Sequence, residues 1–295
     1  MSAEKQPPAV EAEGVSFTYE EGTVALRDVA FRVESGEFVA LLASNGSGKS
    51  TLIKALVKLL VPQQGAIRIN GRDLKGYSAK ELYQQVGLVL QDPNDQLFAP
   101  TVNDDVAFGP RNLGLGEAVV EDRVTTALSW VGAEALRERA IHHLSFGEKK
   151  RVCLAGVLAM QPSILMLDEP TAGLDPAGEA QMLHLLNRLN RERGITIILA
   201  THSVDLLPLF ADRIYVLSRG SVLMEGTPAV IFTNHDMVAH ASLRLPYISR
   251  LIHELRHFDG VPIEGLPLTV GEARQRLVEL IPPDLIVRTI TEKRP

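Results

Sequence analysis

The chain has 295 residues, 45% of them hydrophobic, which is ample for one large α/β domain plus an appendage. A formal net charge of −6 makes no global electrostatic case for nucleic acid. Cys153 is the single cysteine, which excludes an internal disulfide and fits a reducing compartment. Met1 to Pro8 is polar and carries no apolar signal-peptide core. No apolar run approaches the roughly 18–20 residues of a membrane-spanning helix, so the chain is expected to be soluble on its own.

The first elements read as strands. Val10 to Tyr19 alternates, with Val15, Phe17 and Tyr19 on one face, and Ala25 to Val33 continues the pattern after a Glu20-Glu21-Gly22 turn. Tyr19 stands just before that turn, where its ring is free to stack on a base; position alone favours plain sheet packing. Phe38 to Leu42 is an apolar strand followed by Ala43-Ser44-Asn45-Gly46-Ser47-Gly48-Lys49-Ser50-Thr51, then a helical run from Leu52 to Leu60 stopped by Pro62. Strand, glycine-rich loop and helix form the context of a phosphate-binding P-loop. Gly46 and Gly48 let the backbone close on an anion, and the helix N-terminus adds partial positive charge. Lys49 reaches the outer phosphates and Ser50 can ligate Mg²⁺. The usual pattern has Gly where this chain has Ala43. If that position needs φ > 0, the Cβ costs roughly 1–2 kcal/mol; if it needs only a small residue, Ala is nearly free.

Gly65 to Ile69 is a strand ending in an Asn70-Gly71 turn, and Ser78 with Glu81 forms a capping box for a helix to Gln85. Val86 to Leu90 is a buried strand ending at Gln91, whose side-chain carbonyl can serve Mg²⁺ or a water. From Thr101 to Met160 the pattern is mostly helical, in two pieces separated by the stretch Gly109 to Gly116. It closes with Leu144-Ser145-Phe146-Gly147-Glu148 and a helix from Lys149 to Met160. Ser145 with Glu148 is a capping box, and Ser145 with Gly147 at a helix start also makes a second anion site. One chain has one P-loop, so a second phosphate-facing helix makes most sense across a dimer.

Ser163 to Leu167 is a wholly apolar strand ending in Asp168-Glu169, carboxylates at the edge where ligands of parallel sheets bind. Asp168 is placed to hold Mg²⁺ and Glu169 to act as general base on an attacking water. Asp175 caps and Pro176 starts the next helix, which runs to Gly194. Ile195 to Ala200 is another buried strand, ending at His202, which can reach the γ-phosphate. Ile214–Leu217 and Ser221–Met224 make a closing hairpin over Arg219-Gly220. In the tail, Ile248, Leu251, Ile252 and Leu255 stripe one helix, and Thr269 with Glu272 caps a second carrying Ala273, Leu277, Leu280 and Ile281. These stripes either pack on the chain's own cassette or serve dimerisation or regulation; the second reading is slightly favoured. His235, His240, His253 and His257 lie here without a tight ligand spacing.

Ala43–Thr51, Gln91, Leu144–Glu148, Ile164–Glu169, Ala172–Asp175 and His202 resemble, in order and spacing, the motifs of the ATP-binding cassette (ABC) ATPases over about residues 10–233. The resemblance implies an α/β P-loop NTPase fold. Its parts are a RecA-like parallel sheet, an antiparallel β subdomain, an inserted helical subdomain (about 99–160) and a small helical extension (236–295) beyond a cassette of residues 1–235. It implies ATP and Mg²⁺ as ligands, with Tyr19 on adenine, Ala43 to Thr51 around the phosphates, and Ser50, Gln91 and Asp168 serving the metal. It implies Glu169 as base and His202 as γ-phosphate switch. Ser145 and Gly147 would face the γ-phosphate held by a second copy of the chain, with Gln91 also sensing a membrane subunit. Departures from the pattern are Ala43 for Gly, Phe146 for Gly and Glu148 for Gln. Gln91 to Phe98, Asp105 to Pro110 and Glu148 to Met160 further resemble the energy-coupling-factor importers, most of all the cobalt or nickel uptake ATPase, peripheral on the cytoplasmic membrane face. The alternatives are the same role in a vitamin importer or a soluble non-transport cassette. The latter would usually show two cassettes or a long coiled-coil insertion, and a purely regulatory module would lack Glu169.

Overall fold

The computed structural model describes residues 7–282. Strand β1 (Val10–Thr18) pairs antiparallel with β2 (Val24–Val33). Then come β3 (Phe38–Ala43), helix α1 (Lys49–Leu56), β4 (Gln64–Ile69) and β5 (Arg72–Asp73). Helix α2 (Ala79–Gln85) leads into β6 (Val86–Val89), followed by α3 (Val102–Asn112), α4 (Glu117–Val131) and α5 (Phe146–Leu158). The order resumes with β7 (Ile164–Asp168), α6 (Pro176–Arg193), β8 (Thr196–Thr201), α7 (Leu207–Phe210), β9 (Arg213–Ser218) and β10 (Ser221–Gly226). The chain ends in α8 (Pro228–Thr233), α9 (His235–His240), α10 (Tyr247–His257) and α11 (Val270–Glu279).

Two sheets result. One is antiparallel, in the order β2-β1-β4-β5; the other runs β10-β9-β3-β8-β7-β6, parallel except for the edge strand β10. The central strands are buried on both faces, as a covered parallel sheet requires. Their side chains divide by parity. Phe38, Ala40 and Leu42 of β3 pack with α3 to α6, whereas Val39, Leu41 and Ala43 pack with α1 and the antiparallel sheet. The C-terminal ends of β3, β8, β7 and β6 therefore lie side by side along one edge, in that order.

Three boundaries differ from the sequence pattern. Helix α1 stops at Leu56, not Leu60, because Lys58 turns left-handed (φ 63) and the Leu59 N–H closes back on the Lys54 carbonyl at 2.9 Å. The Lys58 ammonium, bonded to the Tyr77 carbonyl at 2.7 Å, holds that turn in place. Gly109 and Pro110 do not separate two helices but lie within α3; the break comes at Leu113 to Gly116, with Gly114 at φ 77. Helix α5 begins at Phe146 rather than Lys149, and both halves of the Ser145/Glu148 capping box form.

The tail helices bury their stripes mostly against each other. Ile252, Ile263 and Ala273 form a small core with Ile248, Leu255 and Leu277 around it. Leu251, Leu280 and Ile281 remain exposed. The segment entering α10 is fastened to the cassette, where Asp205 pairs with Arg244 and accepts the Tyr247 N–H at 2.9 Å.

Gly87 on β6 is a packing glycine. A Cβ there would stand 2.2 Å from Cγ1 of Val157 on α5. Gly87→Ala is expected to destabilise the fold by about 1–3 kcal/mol, the usual cost of overpacking. Adding Val157→Ala should recover part of that loss. Urea unfolding of both variants checks this, and a double variant no more stable than Gly87→Ala alone would refute the contact.

Candidate functional site

The site lies where four parallel strands end. After β3 the loop Ser44 to Gly48 wraps over the start of α1. Ser44 and Ser47 hydroxyls bond at 2.9 Å, and the Gly220 N–H ties the loop to the hairpin through the Ser47 carbonyl at 3.1 Å. Gly48 is obligatory for two reasons: its φ is 100, and a Cβ would meet the Ala25 carbonyl oxygen at 2.5 Å. Ala43 is an in-register, fully buried strand residue opposite Leu217 and is not among the residues at positive φ. The conditional cost of Ala43 therefore does not arise. Asn45 and Gly46 are exposed at the loop tip.

Lys49 is buried, and its ammonium donates to the Ala43 carbonyl at 2.8 Å and the Ser44 carbonyl at 3.3 Å. It also faces Oε1 of Glu169 at 3.4 Å. The same carboxylate oxygen lies 2.9 Å from Nδ1 of His202. Glu169 is thus held between the phosphate-loop lysine and an imidazole that is itself 57% exposed at the side chain, open to a ligand. Its backbone is left-handed (φ 49), a conformation uncommon for a non-glycine residue. The Glu169 N–H donates to the Ala200 carbonyl at 2.9 Å, and the Ala172 N–H donates to the Glu169 carbonyl at 3.1 Å.

Asp168 is buried beside Ser50, and one of its oxygens, Oδ1, has no hydrogen-bond partner. Burial pushes its carboxyl above the usual carboxylate range, with Glu169 adding to the rise and the Ser50 hydroxyl and Lys49 opposing it. A buried oxygen without a partner, next to a hydroxyl, fits a hard divalent cation with oxygen ligands. The hydroxyl of Tyr19 lies 3.0 Å from that of Thr51, so the ring stands beside the loop, edge-on to Phe17.

Gln91, at the end of β6, has an exposed side chain, and its carbonyl accepts the Lys150 ammonium at 2.8 Å. Ser145 makes no hydrogen bond to the P-loop among the described residues. Its Oγ accepts the Glu148 N–H at 3.3 Å, while the Glu148 carboxylate takes the Ser145 N–H at 2.7 Å and pairs with Arg139 at 3.1 Å. These contacts hold the Glu148 carboxyl below its usual range, the Ser145 N–H chief among them. The Phe146 ring lies over Gly173 and 5.3 Å from the Lys150 ammonium, and Gly147 faces Leu174.

Two supporting residues went unread in the sequence. Lys150 is 1% exposed on α5, and the signal was a lysine three and four residues before Cys153 and Leu154 on a buried stripe. Glu179 on α6 accepts the Ser203 hydroxyl at 2.8 Å, steadying the loop of His202; nothing local marked it. In the tail, the rings of His235 and His253 approach to 4.1 Å and those of His253 and His257 to 5.8 Å, closer than their spacing suggested. Among the described residues they do not make a group able to hold a metal ion.

The ABC transporter family model matches residues 26–172. The energy-coupling factor transporter ATP-binding protein of Methanocaldococcus jannaschii is 48% identical, over 92% of this chain and 98% of its own length. The chain belongs to the ABC transporter ATP-binding proteins. The structure of cbiO1 from Clostridium perfringens, described as part of the ABC transporter complex cbiONQ, matches with a TM-score of 0.73 and 41% identity. That match covers 84% of this chain and 100% of cbiO1. A dimeric ATP-binding cassette in a post-hydrolysis state, bound to ADP and phosphate, matches with a TM-score of 0.68 and 28% identity, over 74% of this chain and 98% of the other. This ABC protein is accordingly an ATPase with the P-loop NTPase fold.

For Ala43→Gly, affinity for ATP should stay within about twofold, a few tenths of a kcal/mol, because the loop backbone does not depend on that Cβ. Thermal stability should fall by about 0.5–1 kcal/mol for a glycine placed inside a strand. Nucleotide titration by fluorescence and a melting curve test both; a tenfold affinity change in either direction would contradict the strand assignment of position 43.

Proposed function

We propose that this chain is the ATP-hydrolysing subunit of an energy-coupling-factor importer for cobalt or nickel ions. It would work as a head-to-tail homodimer on the cytoplasmic face of the membrane. The observation that carries the catalytic part is the Glu169 carboxylate set between Lys49 and His202 at the sheet edge. Glu169 takes a proton from the water that attacks the γ-phosphorus. Lys49 binds the outer phosphate oxygens, and His202 orients the γ-phosphate against Glu169. Tyr19 stacks on the adenine. Ser50, Gln91 and Asp168 are the oxygen donors for Mg²⁺, which when bound neutralises phosphate charge.

The dimer reading rests on two helix N-termini in one chain. Lys49 and Ser50 belong to one; Ser145 and Gly147, with Phe146 and Glu148 shaping the turn, belong to the other, and the latter makes no hydrogen bond to its own P-loop among the described residues. A second copy would bring its Ser145 and Gly147 to the γ-phosphate, closing on ATP and opening after hydrolysis. The dimeric form of the post-hydrolysis cassette, bound to ADP and phosphate, supports this reading.

Coupling to a membrane subunit is supported by a groove of ≈ 530 Å³ beside the loop that follows Gln91. Its walls include Leu59, Tyr83, Phe98, Phe108 and Met160, and Phe98 is 64% exposed with its ring edge-on to Phe108. Exposed aromatic surface of this size suits a partner segment rather than solvent. Among the described residues no helix is long and apolar enough to cross a membrane, so the membrane path and the ion site would be the partners'. The name of the cbiO1 complex and the energy-coupling-factor names of the relatives support the importer assignment.

Glu169→Gln should retain ATP binding and lose hydrolysis by about 10²–10⁴-fold, the usual worth of a general base. Steady-state turnover near wild type in that variant would sink the assignment. A mixing experiment tests the shared site. Lys49→Ala and Ser145→Arg chains should each be inactive alone. A one-to-one mixture, with subunit exchange verified by mass, forms about half mixed dimers, each with one lesion-free site. Hydrolysis should then recover toward about a quarter of the wild-type site count. Recovery requires that one intact site can turn over; wild-type activity that stays strictly proportional to enzyme concentration far below any measurable dimerisation constant would refute a site built from two copies.

A further inference from the structure

We propose that Lys150 is a positioning residue that locks the general base and the Gln91 loop to the helix carrying Ser145. The proposal rests on the catalytic reading of Glu169 above. Its ammonium lies in the interior, the side chain 1% exposed, and donates to the Gln91 carbonyl at 2.8 Å and to the Glu169 carbonyl at 3.1 Å. The Phe146 ring stands 5.3 Å from it, within cation–π range. Two carbonyls and a ring face thus surround a group with three donors. None of its contacts is an ion pair among the described residues. Burial pushes its pKa down, and the nearby Cys153, Asp92, Glu169 and Asp168 oppose that shift.

A buried ammonium without a paired carboxylate is an expensive way to fill space. A methionine would occupy the same volume without the desolvation cost. What the ammonium adds is a single group that joins three segments, reaching from α5 to the backbone at both strand ends. Gln91 ends β6 and opens the loop to the groove. Glu169 follows β7 with a left-handed backbone held at its N–H by Ala200 and at its carbonyl by Ala172 and Lys150. The residue itself rides on α5, four residues after Phe146 and five after Ser145. Other α5 groups grip the same loop: the Lys149 ammonium donates to Asn94 at 2.8 Å, and the Cys153 backbone carbonyl accepts from the Gln96 side chain at 3.3 Å. A shift of α5 against the sheet therefore pulls on the loop and on the backbone of the base together. Lys150 is the one α5 side chain bonded to both.

The test uses the full chain and four variants. Lys150→Met keeps length and volume and removes every donor; Lys150→Gln keeps two donors. Lys150→Met should lower kcat by about 10–100-fold with KM for ATP changed less than about threefold, the pattern of an interaction needed only at the transition state. Lys150→Gln should recover most of that loss. Amide hydrogen exchange should rise at Ala172 and over residues 92–98 in Lys150→Met, while β7 and β8 keep wild-type protection. Wild-type kcat in Lys150→Met overturns the proposal, as does an equal loss in both variants with faster exchange throughout, which would mark a merely structural residue. If Lys150→Met does not fold, the same measurements on Lys150→Gln and Lys150→Ala decide it, Gln being expected the more active. Glu169→Gln is measured alongside. Turnover by that variant defeats the base assignment, whereas exchange at Ala172 still reports on Lys150 itself.

Discussion

The arrangement depends on a left-handed peptide at Glu169. Only there can a strand that is buried on both faces end with one carboxylate aimed into the sheet edge beside Ser50 and the next aimed across at Lys49 and His202. A non-glycine residue held this way costs of order 1–3 kcal/mol and persists only when its surroundings over-determine it. Here they do. The N–H is taken by Ala200 of the neighbouring strand, the carbonyl by Ala172 and Lys150, and the side chain by Lys49 and His202. The segments that carry Lys49, His202 and Lys150 all touch this one residue.

Charge balance follows from the same cluster. Lys49, Lys150, Asp168 and Glu169 are all buried, two cations and two anions in one region. Singly, each would be costly; together these four balance at this sheet edge. The distribution within the set is uneven. Lys49 pairs with Glu169 directly, Lys150 leans on carbonyls, and Asp168 keeps an oxygen without a partner. The unevenness leaves a carboxylate oxygen without a partner next to Ser50 and a buried ammonium at the start of α1.

Much of this was legible in the sequence because the chemistry sits on loops that follow apolar strands. Ala43 to Thr51, Asp168-Glu169 and His202 could each be read from a short run of residues, and parallel pairing then brought them to one edge. What escaped was set by contacts distant in sequence. Helix α1 ends early because the Lys58 ammonium finds the Tyr77 carbonyl, a partner no local pattern names. Gly109 looked like a helix break but serves close packing, since a Cβ there would stand 2.7 Å from Met160. Lys150 looked like one of several charges near the start of a helix, and only the fold shows its ammonium between two strand ends. The tail illustrates the same limit. Its stripes announced helices, yet nothing local showed that they would pair with each other or be fastened at Asp205, three residues beyond His202.

Phe146 shows how a departure from a family pattern can be absorbed. Where glycine is usual, a ring of this size would be expected to crowd the face that meets a second copy. The ring packs over Gly173 of its own chain, whose φ of 79 and missing Cβ make room, a Cβ there lying 2.8 Å from the ring, and it stays 39% exposed. The first-turn N–H groups of α5 have no intrahelical acceptors by construction, and the ring packed on Gly173 and Lys150 does not replace their backbone geometry. Under the proposed reading, anion binding at that helix start would be a backbone property, carried by the amides of Phe146 and Gly147 whatever the side chain. The side chain's contribution is different: it closes the third face of the Lys150 ammonium and so couples the helix start to the residue that holds the base. In this chain the Ser145 turn is tied to Glu169 from within the chain itself, through Phe146 and Lys150.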